Sequence, residues 1–422
     1  MKKHDYDLIV LGGGLAGCAA AVAAARRGLS VLLVEREGAL GGAAVNCFVN
    51  PFMKNSTKNP DGSKLLLSRG FFTELYDALN SGEAYGYRGF GNSFHEESLK
   101  ILLDRFCADA GVKVLFHTAL CDVSHEGGKI TGVTLATVGG NLSFTAECFV
   151  DATGDGELAF RAGCTYQLGR QSDNRCQPMT LCFRVGNVDV EAFRADRPRL
   201  NTLWQEAQAA GKVRNPRENI LSFKYPAKGV VHFNTTRVIK LNPVDPFELS
   251  RAEAEAREQA HEIFRFLKEN AAGFENADML SSAPLIGVRE SRMINGLHTL
   301  TEEELKDCTR FPDSIAAGNY DIDIHSPDGG GTSHYYFPEG KYYTIPYRSL
   351  LPRDTENLLV AGRCISATHE AQASIRIMPI CTCTGEAAGT AAAVAIKTGR
   401  SPRDADVALI RSMLFENGAF LG

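Results

Sequence analysis

The stretch Asp7-Leu8-Ile9-Val10-Leu11-Gly12-Gly13-Gly14-Leu15-Ala16-Gly17, followed by small residues and then Val31-Leu32-Leu33-Val34-Glu35, decides the fold. An apolar strand ends in G-x-G-x-x-G, a small-residue helix follows, and a second apolar strand ends in an acid. Each glycine has a separate task. Gly12 makes the strand-to-helix turn, Gly14 lets a pyrophosphate approach the backbone, and Gly17 lets the helix pack close to the strand. Leu15 and Ala16 lie in the first helical turn, where free N–H groups and the positive dipole end favour phosphate. Glu35 stands where a carboxylate accepts hydrogen bonds from a ribose. The glycine pattern alone is weak, but both strands, the helix and the acid in register point to dinucleotide binding.

Composition sets the bounds. The 422 residues allow two or three structural units with ample core, and 44% hydrophobic with 23% charged residues describes an ordinary globular protein. A net charge of −5 argues against a nucleic-acid or anionic-membrane surface. No apolar run approaches the roughly 20 residues needed to cross a bilayer. Met1-Lys2-Lys3-His4-Asp5 passes straight into the first strand, so no signal peptide is expected and a cytoplasmic location follows. In that setting the 12 cysteines read as reduced core thiols rather than disulfides. No C-x-x-C occurs, and Cys381-Thr382-Cys383 reads as small residues on a closely packed helix.

Past Glu35, a second glycine-rich bend contains Gly41, Gly42 and Ala43. Residues 46–92 read as an excursion facing the site, with one helix over 64–80. A helix is expected over 93–110 and a strand over 112–123. A hairpin over 130–135 and 142–150 turns at Gly139-Gly140-Asn141. It leads into Asp151-Ala152-Thr153-Gly154-Asp155-Gly156. From 157 to 347 short β-like stretches (179–185, 220–225, 229–233) and a charged helix over 246–272 suggest an inserted block. The first fold resumes at Leu358-Leu359-Val360-Ala361-Gly362-Arg363, and a small-residue helix runs from Met378 to Ile396.

These islands carry a family resemblance. The N-terminal G-x-G-x-x-G, the D-A-T-G-D-G at 151–156, L-L-V-A-G-R-C-I-S-A-T-H-E-A at 358–371 and S-I-R-I-M-P at 374–379 resemble the bacterial FAD-dependent oxidoreductases of the two-dinucleotide-binding-domain superfamily. I-G-V-R-E-S-R at 286–292 and Y-D-I-D-I-H at 320–325 resemble it too, so the likeness spans nearly the whole chain. It implies an α/β fold: a Rossmann-like FAD-binding domain, discontinuous in sequence (1–156 and 348–422), with an inserted α+β substrate or cap domain (157–347). It also implies that Gly12, Gly14 and Gly17 hold the pyrophosphate. Glu35, with Arg36 beside it, would hold the ribose, and Gly41, Gly42 and Ala43 the ribityl side. Backbone near Val123 would meet adenine, and Ala152, Thr153, Gly154 and Asp155 would close the adenosine end. Gly362 and Arg363 would meet the pyrophosphate, where many superfamily members carry Gly-Asp, and the helix starting at Met378 would face the flavin. The region after the first glycines lacks the histidine-bearing attachment pattern of fumarate reductase flavoproteins, so noncovalent FAD is expected.

Flavin chemistry leaves the protein to orient substrate and manage a proton. His369 is one proton carrier, or it only positions Arg376, itself a substrate anchor. His325 and His334 flank the loop 326–333, which is either a substrate lid or an exposed turn. With Asp321 and Asp323 nearby the pair lacks any strong metal spacing, so no metal is expected. Asn234 and Arg237, with Arg289 and Arg292, are candidate substrate contacts because guanidinium forks suit carboxylate or phosphate. A structural ion-pair network of Arg289, Glu290 and Arg292 is the stronger alternative.

The expected function is hydride transfer between FAD and a small polar organic substrate, with an unknown electron acceptor. Neither nucleic acid nor membrane is expected as a partner, and a homo-oligomer stays open. Alternatives are an electron-transfer flavoprotein subunit of a larger redox complex or an RNA-modifying flavoprotein.

Overall fold

The computed structural model describes residues 4–82, 88–89 and 91–422. Residues 83–87 and 90 of the 46–92 excursion lie outside these, as do residues 1–3. A five-stranded sheet forms the centre, in the order Leu358–Val360, Ala146–Asp151, Tyr6–Leu11, Val31–Val34, Lys113–Leu115. Every neighbouring pair is parallel, for example Leu8 opposite Val31 and Ile9 opposite Phe149. Leu8, Ile9, Val10 and Leu11 are all buried, as a strand covered on both faces requires. Residues more than 350 positions apart thus share one Rossmann-like sheet, and the α/β class stands.

Two helices cover the sheet where the glycine turn emerges. All 11 residues of Leu15–Ala25 are buried, so this helix is sandwiched rather than amphipathic. The long helix Met378–Thr398 lies directly on it. A Cβ on Gly385 would fall 2.0 Å from the Ala16 carbonyl oxygen, and one on Gly389 equally close to that of Ala20. The four-residue spacing keeps both glycines on one face. The paired order makes the helices parallel. Met378 lies seven residues before Gly385, so its end projects about 10 Å beyond Ala16 at a rise of ~1.5 Å per residue.

A second core belongs to the inserted block. Its antiparallel sheet runs Ser222–Lys224, Val231–Phe233, Phe183–Gly186, Asp278–Ser282. Phe183, Phe193, Trp204, Phe233, Ile263 and Phe274 pack together, with the Phe183 and Phe233 rings stacked at 5.0 Å. The helix Pro246–Asn270 is capped by Asp245, which accepts from the Phe247 and Glu248 N–H groups at 2.9 Å. Ile294, Leu300, Ile315 and Tyr343 join the first core instead, so the two hydrophobic cores do not divide at residue 347.

Several expected elements are redrawn by long-range contacts. The 64–80 helix is a short strand, Lys64–Leu66, paired with Ser56–Lys58, and a helix that starts only at Phe71 after Gly70 turns at φ 69°. The 112–123 strand splits into Lys113–Leu115 in the parallel sheet and Ala119–Glu126 in a three-stranded antiparallel sheet. The corner is held by Thr118 N–H on the Glu35 carbonyl at 3.1 Å. The second hairpin arm breaks at Thr145, whose N–H and hydroxyl donate to Asp5, so 140–144 stay antiparallel while 146–151 enter the central sheet. Val190–Ala209 forms a helix that the sequence reading lacks. Pro198 lies inside it, but the Asp189 cap and the burial of Phe193, Leu200 and Trp204 outweigh that break. Among the described residues no helix is long and apolar enough to cross a membrane.

The second core also fixes an acid sensitivity. His232 is fully buried on Val231–Phe233, and burial with the nearby Arg184 charge pushes it down to about 3. The unfolded chain takes up a proton below the ordinary histidine value of ~6.5 and the folded chain does not, so stability is full above that pH and falls below it. Urea unfolding at pH 7.5 and 5.5 should show His232→Asn losing less stability than wild type, by about 1.4 kcal/mol. Equal losses in both proteins would refute this.

Candidate functional site

At the nucleotide end, the sequence geometry closes into a cradle. Gly12 turns at φ 96°, and a Cβ there would strike the Ala152 carbonyl oxygen at 2.5 Å. Glu35 is buried; its Oε2 accepts from Gly13 N–H at 2.7 Å and its Oε1 from Glu37 N–H at 2.8 Å. Burial raises its pKa, and those two bonds work against the rise. The second glycine bend lies against the first. Gly41 N–H donates to the Gly13 carbonyl at 2.8 Å, and a Cβ on Gly42 would lie 2.8 Å from the Gly14 Cα. Helix Leu15–Ala25 begins at Gly14 with no side-chain cap and no acid in its first turn. Ala43 opens the short turn after Gly42.

Asp151 braces the next turn: its Oδ1 accepts from the Thr153 hydroxyl at 2.7 Å and its Oδ2 from Ala159 N–H at 2.9 Å. Ala152 N–H donates to the Leu11 carbonyl at 2.8 Å, which joins the two islands. Beyond them Arg363 donates to Asp155 at 2.6 Å and to the Ser291 hydroxyl at 3.2 Å, with its guanidinium over Gly154. Burial alone would raise the Asp155 pKa, but Arg363 and the Ser291 hydroxyl hold it below the usual range. Gly362 N–H meets the Thr384 hydroxyl at 3.0 Å, tying this turn to the long helix. Val123 is a buried side chain, while Cys121 presents a carbonyl to Arg161 at 3.1 Å. Arg36 is 59% exposed and pairs with Glu37.

The donor set fits FAD. An open helix N-terminus with glycine backbone at contact suits a diphosphate, and Glu35 and Asp155 with Arg363 suit the polar nucleotide end. The start of Met378–Thr398 likewise has no side-chain cap and no acid in its first turn, which suits an aromatic ring system that gains negative charge on reduction.

Helix His369–Ile375 is capped by Thr368, and His369 Nδ1 lies 2.7 Å from Glu290 Oε1, both buried. Glu290 Oε2 accepts from Gln177 N–H at 2.8 Å; Gln177 Nε2 reaches Gln372 at 3.2 Å; Gln372 Nε2 donates to the Arg289 carbonyl at 2.9 Å. Glu290 therefore pairs with a histidine, and the expected Arg289–Glu290–Arg292 ion-pair network does not form. Arg292 is turned to the Asp155 carbonyl at 3.2 Å and lies over the Phe160 ring at 4.1 Å, apart from Arg289.

Of the expected loop 326–333, residues 326–331 close a β-hairpin, Ile322–His325 with Thr332–Tyr335, and 332–333 already belong to its second strand. The two histidines differ. His325 is buried, with Nε2 3.3 Å from Asp323 and Nδ1 3.1 Å from Arg237 Nη2. Burial and the Arg289 charge hold its pKa well below the ordinary value, against the pull of Asp323. His334 lies further out, stacked on Tyr336 and 3.2 Å from Asp321. Asp323 also takes Arg376 at 3.6 Å. Arg289 donates to the Pro178 carbonyl and the Thr180 hydroxyl, both at 2.6 Å. Asn234 is half-buried at the end of Val231–Phe233, its Oδ1 without a hydrogen-bond partner among the described residues.

Residues absent from the sequence reading of the site are Gln177, Arg217, Ser291 and Gln372. For Gln177, Ser291 and Gln372 the partners lie 72 to 195 positions away, in the hydrogen bonds from Gln177 to Gln372 and from Arg363 to Ser291.

The parallel sheet, the paired glycine bends and the buried acid define a dinucleotide-binding protein. The chain belongs to the family described as FAD dependent oxidoreductase, whose model matches residues 7–414, and its cofactor is FAD. Among curated relatives, a digeranylgeranylglycerophospholipid reductase of Methanoculleus marisnigri is 28% identical over 206 residues, covering 46% of this chain and 49% of the relative. A dihydrolipoyl dehydrogenase of Zymomonas mobilis is 36% identical over 135 residues, 31% of this chain and 25% of the relative. The chain thus spans about half the length, or less, of these relatives. A solved geranylgeranyl bacteriochlorophyll reductase-like protein of Thermoplasma acidophilum aligns at 14% identity and a TM-score of 0.47, covering 98% of this chain and 82% of that one.

Proposed function

We propose that this enzyme transfers hydride between bound FAD and a small polar organic substrate, with His369 as the proton-handling group. The observation that carries this reading is the buried His369–Glu290 contact of 2.7 Å, about two helical turns and a bend before Met378. Glu290 accepts from Nδ1 and so fixes the tautomer that leaves Nε2 free to take or give a proton. Gln177 locks the second Glu290 oxygen, which keeps the imidazole plane from turning. Bound FAD supplies the two-electron redox centre. Gly12, Gly14, Gly17 and Glu35, with Gly41 and Gly42, would hold its nucleotide portion, and Asp155 with Arg363 would close it in. Arg376, Arg237 and Arg289 would orient the substrate, with Asn234 at its edge. His325 keeps the neighbouring arginines in register rather than moving the proton, because both ring nitrogens are already engaged. His334 would contact substrate only at the outer rim, and Arg292 supports the nucleotide end.

In this reading, residues 1–156 and 348–422 carry the cofactor and 157–347 supply the substrate side. A reducing, cytoplasmic setting suits the 12 free thiols, nine of them buried. The FAD is noncovalent: acid precipitation should release the yellow colour into the supernatant, and colour kept in a washed pellet would contradict it. The decisive test is anaerobic. Sugars, hydroxy acids, enoates and amines are screened for bleaching of the oxidised flavin or reoxidation of the reduced one, with no partner protein added. Response to a small molecule supports the enzyme; electron exchange only with a partner protein would replace it with the electron-transfer reading.

A further inference from the structure

Four guanidinium groups from separate parts of the chain share the electrostatic neighbourhood of Asp323: Arg217, Arg237, Arg289 and Arg376. Contacts link two of them in a row, since Arg237 meets His325, His325 meets Asp323, and Asp323 meets Arg376. The carboxylates facing them are Asp323 and the half-exposed Glu218, which takes Arg237 at 3.1 Å. Asp321 lies further out and is engaged by His334. Arg217 and Arg289 form no ion pair with a carboxylate among the described residues; Arg217 is 6% exposed, and Arg289 meets the Pro178 carbonyl and the Thr180 hydroxyl.

We infer that the substrate is a small organic anion bearing at least two carboxylate or phosphate groups, held by Arg217, Arg237, Arg289 and Arg376. This rests on the hydride-transfer reading above and narrows its substrate. Unmatched buried cations are unfavourable unless something else neutralises them. Their hydrogen-bonding capacity is also unspent. Nε and Nη1 of Arg217, Nε of Arg237 and Nε of Arg376 have no partner among the described residues, although all are shielded from solvent. A second arginine cluster on the neighbouring surface shows what a structural network looks like. There Arg170 and Arg175 meet Asp173 and Asp328, two charges of each sign, at the tip of the same hairpin. The inner cluster has no such balance. Burial, with the charges of Arg376, Arg217 and Arg237 adding to it, pushes Arg289 down to about 9. A planar guanidinium fork binds carboxylate or phosphate through paired bonds, and four of them specify charge number as well as sign.

The test is calorimetric titration of the FAD-loaded protein with tricarballylate, citrate, succinate, glycerol 3-phosphate and the neutral triamide of tricarballylate, alongside thermal melts. At least one di- or trianion should bind tenfold or more tighter than the triamide, and the carboxylate and phosphate arms show which group is preferred. Arg217→Met should weaken that binding at least tenfold while raising the melting temperature of the ligand-free protein, because it removes an unmatched buried charge. A structural arginine would behave oppositely, with a lower melting temperature and unchanged binding, and that result overturns the inference. Should Arg217→Met not fold, Arg376→Gln, at a position 14% exposed, tests the same loss of affinity. Anion binding without flavin bleaching supports the site and counts against hydride transfer. Bleaching by neutral compounds, indifferent to both variants, overturns the anion site and leaves hydride transfer standing.

Discussion

His369→Gln lowers the rate of flavin reduction by substrate about 10²- to 10⁴-fold, the range for losing a positioned acid or base, while FAD content stays at the wild-type level. Glutamine keeps a polar side chain near Glu290, so the buried carboxylate retains a donor and the fold is spared the cost of leaving it bare. Anaerobic stopped-flow reduction, with whichever compound bleaches the flavin in the screen, reads the rate directly. Glu290→Gln serves as its companion. It keeps the shape and the bond to Gln177 or to His369, but no longer selects the tautomer with the proton on Nδ1. The rate should fall there too, by less than in His369→Gln, and its pH profile should shift. Wild-type rates in His369→Gln would move the proton-handling role to another residue.

The second large effect is structural. Gly385→Val should yield protein that fails to retain FAD and is destabilised by about 3 kcal/mol or more, the upper end of overpacking costs. The Cβ alone would lie 2.0 Å from the Ala16 carbonyl oxygen, whereas non-bonded contact requires roughly 3.5 Å. The obstacle is backbone, which cannot rotate away as a side chain would. Helix Met378–Thr398 would have to lift from Leu15–Ala25, separating the two open helix ends proposed to flank the cofactor. Gly139→Ala is the matched control, because the nearest atom to its added Cβ is 3.8 Å away and its backbone carries no positive φ. Equal FAD content and urea midpoints in the two variants would show that the close helix contact is dispensable.

Much of the cofactor side was legible from residues alone because its requirements are local. The turn at Gly12, the continuous apolar run of Leu8 to Leu11 and the acid after Val34 each write themselves into a few consecutive positions. The charged helix after Asp245 was legible for the same reason, with a cap, a proline at its start and a repeating apolar stripe. Where packing competed with local preference, reading by pattern failed. Val190–Ala209 carries a proline that argues for a break, yet Phe193, Leu200 and Trp204 gain a core that overrides it. The strand expected over 112–123 turns a corner because its two halves pair with different sheets.

By itself the sequence determined a parallel α/β fold, its interrupted course along the chain and a dinucleotide at its glycine turn, because backbone conformation and strand burial leave periodic, short-range marks. Only the tertiary structure decided which polar side chains meet. It joined Glu290 to His369 across 79 positions, sent Arg292 to the nucleotide end, and gathered Arg217, Arg237, Arg289 and Arg376 around Asp323. Such pairings depend on where side chains meet after folding. Charge and hydrogen bonding act through space, and no spacing along the chain records them.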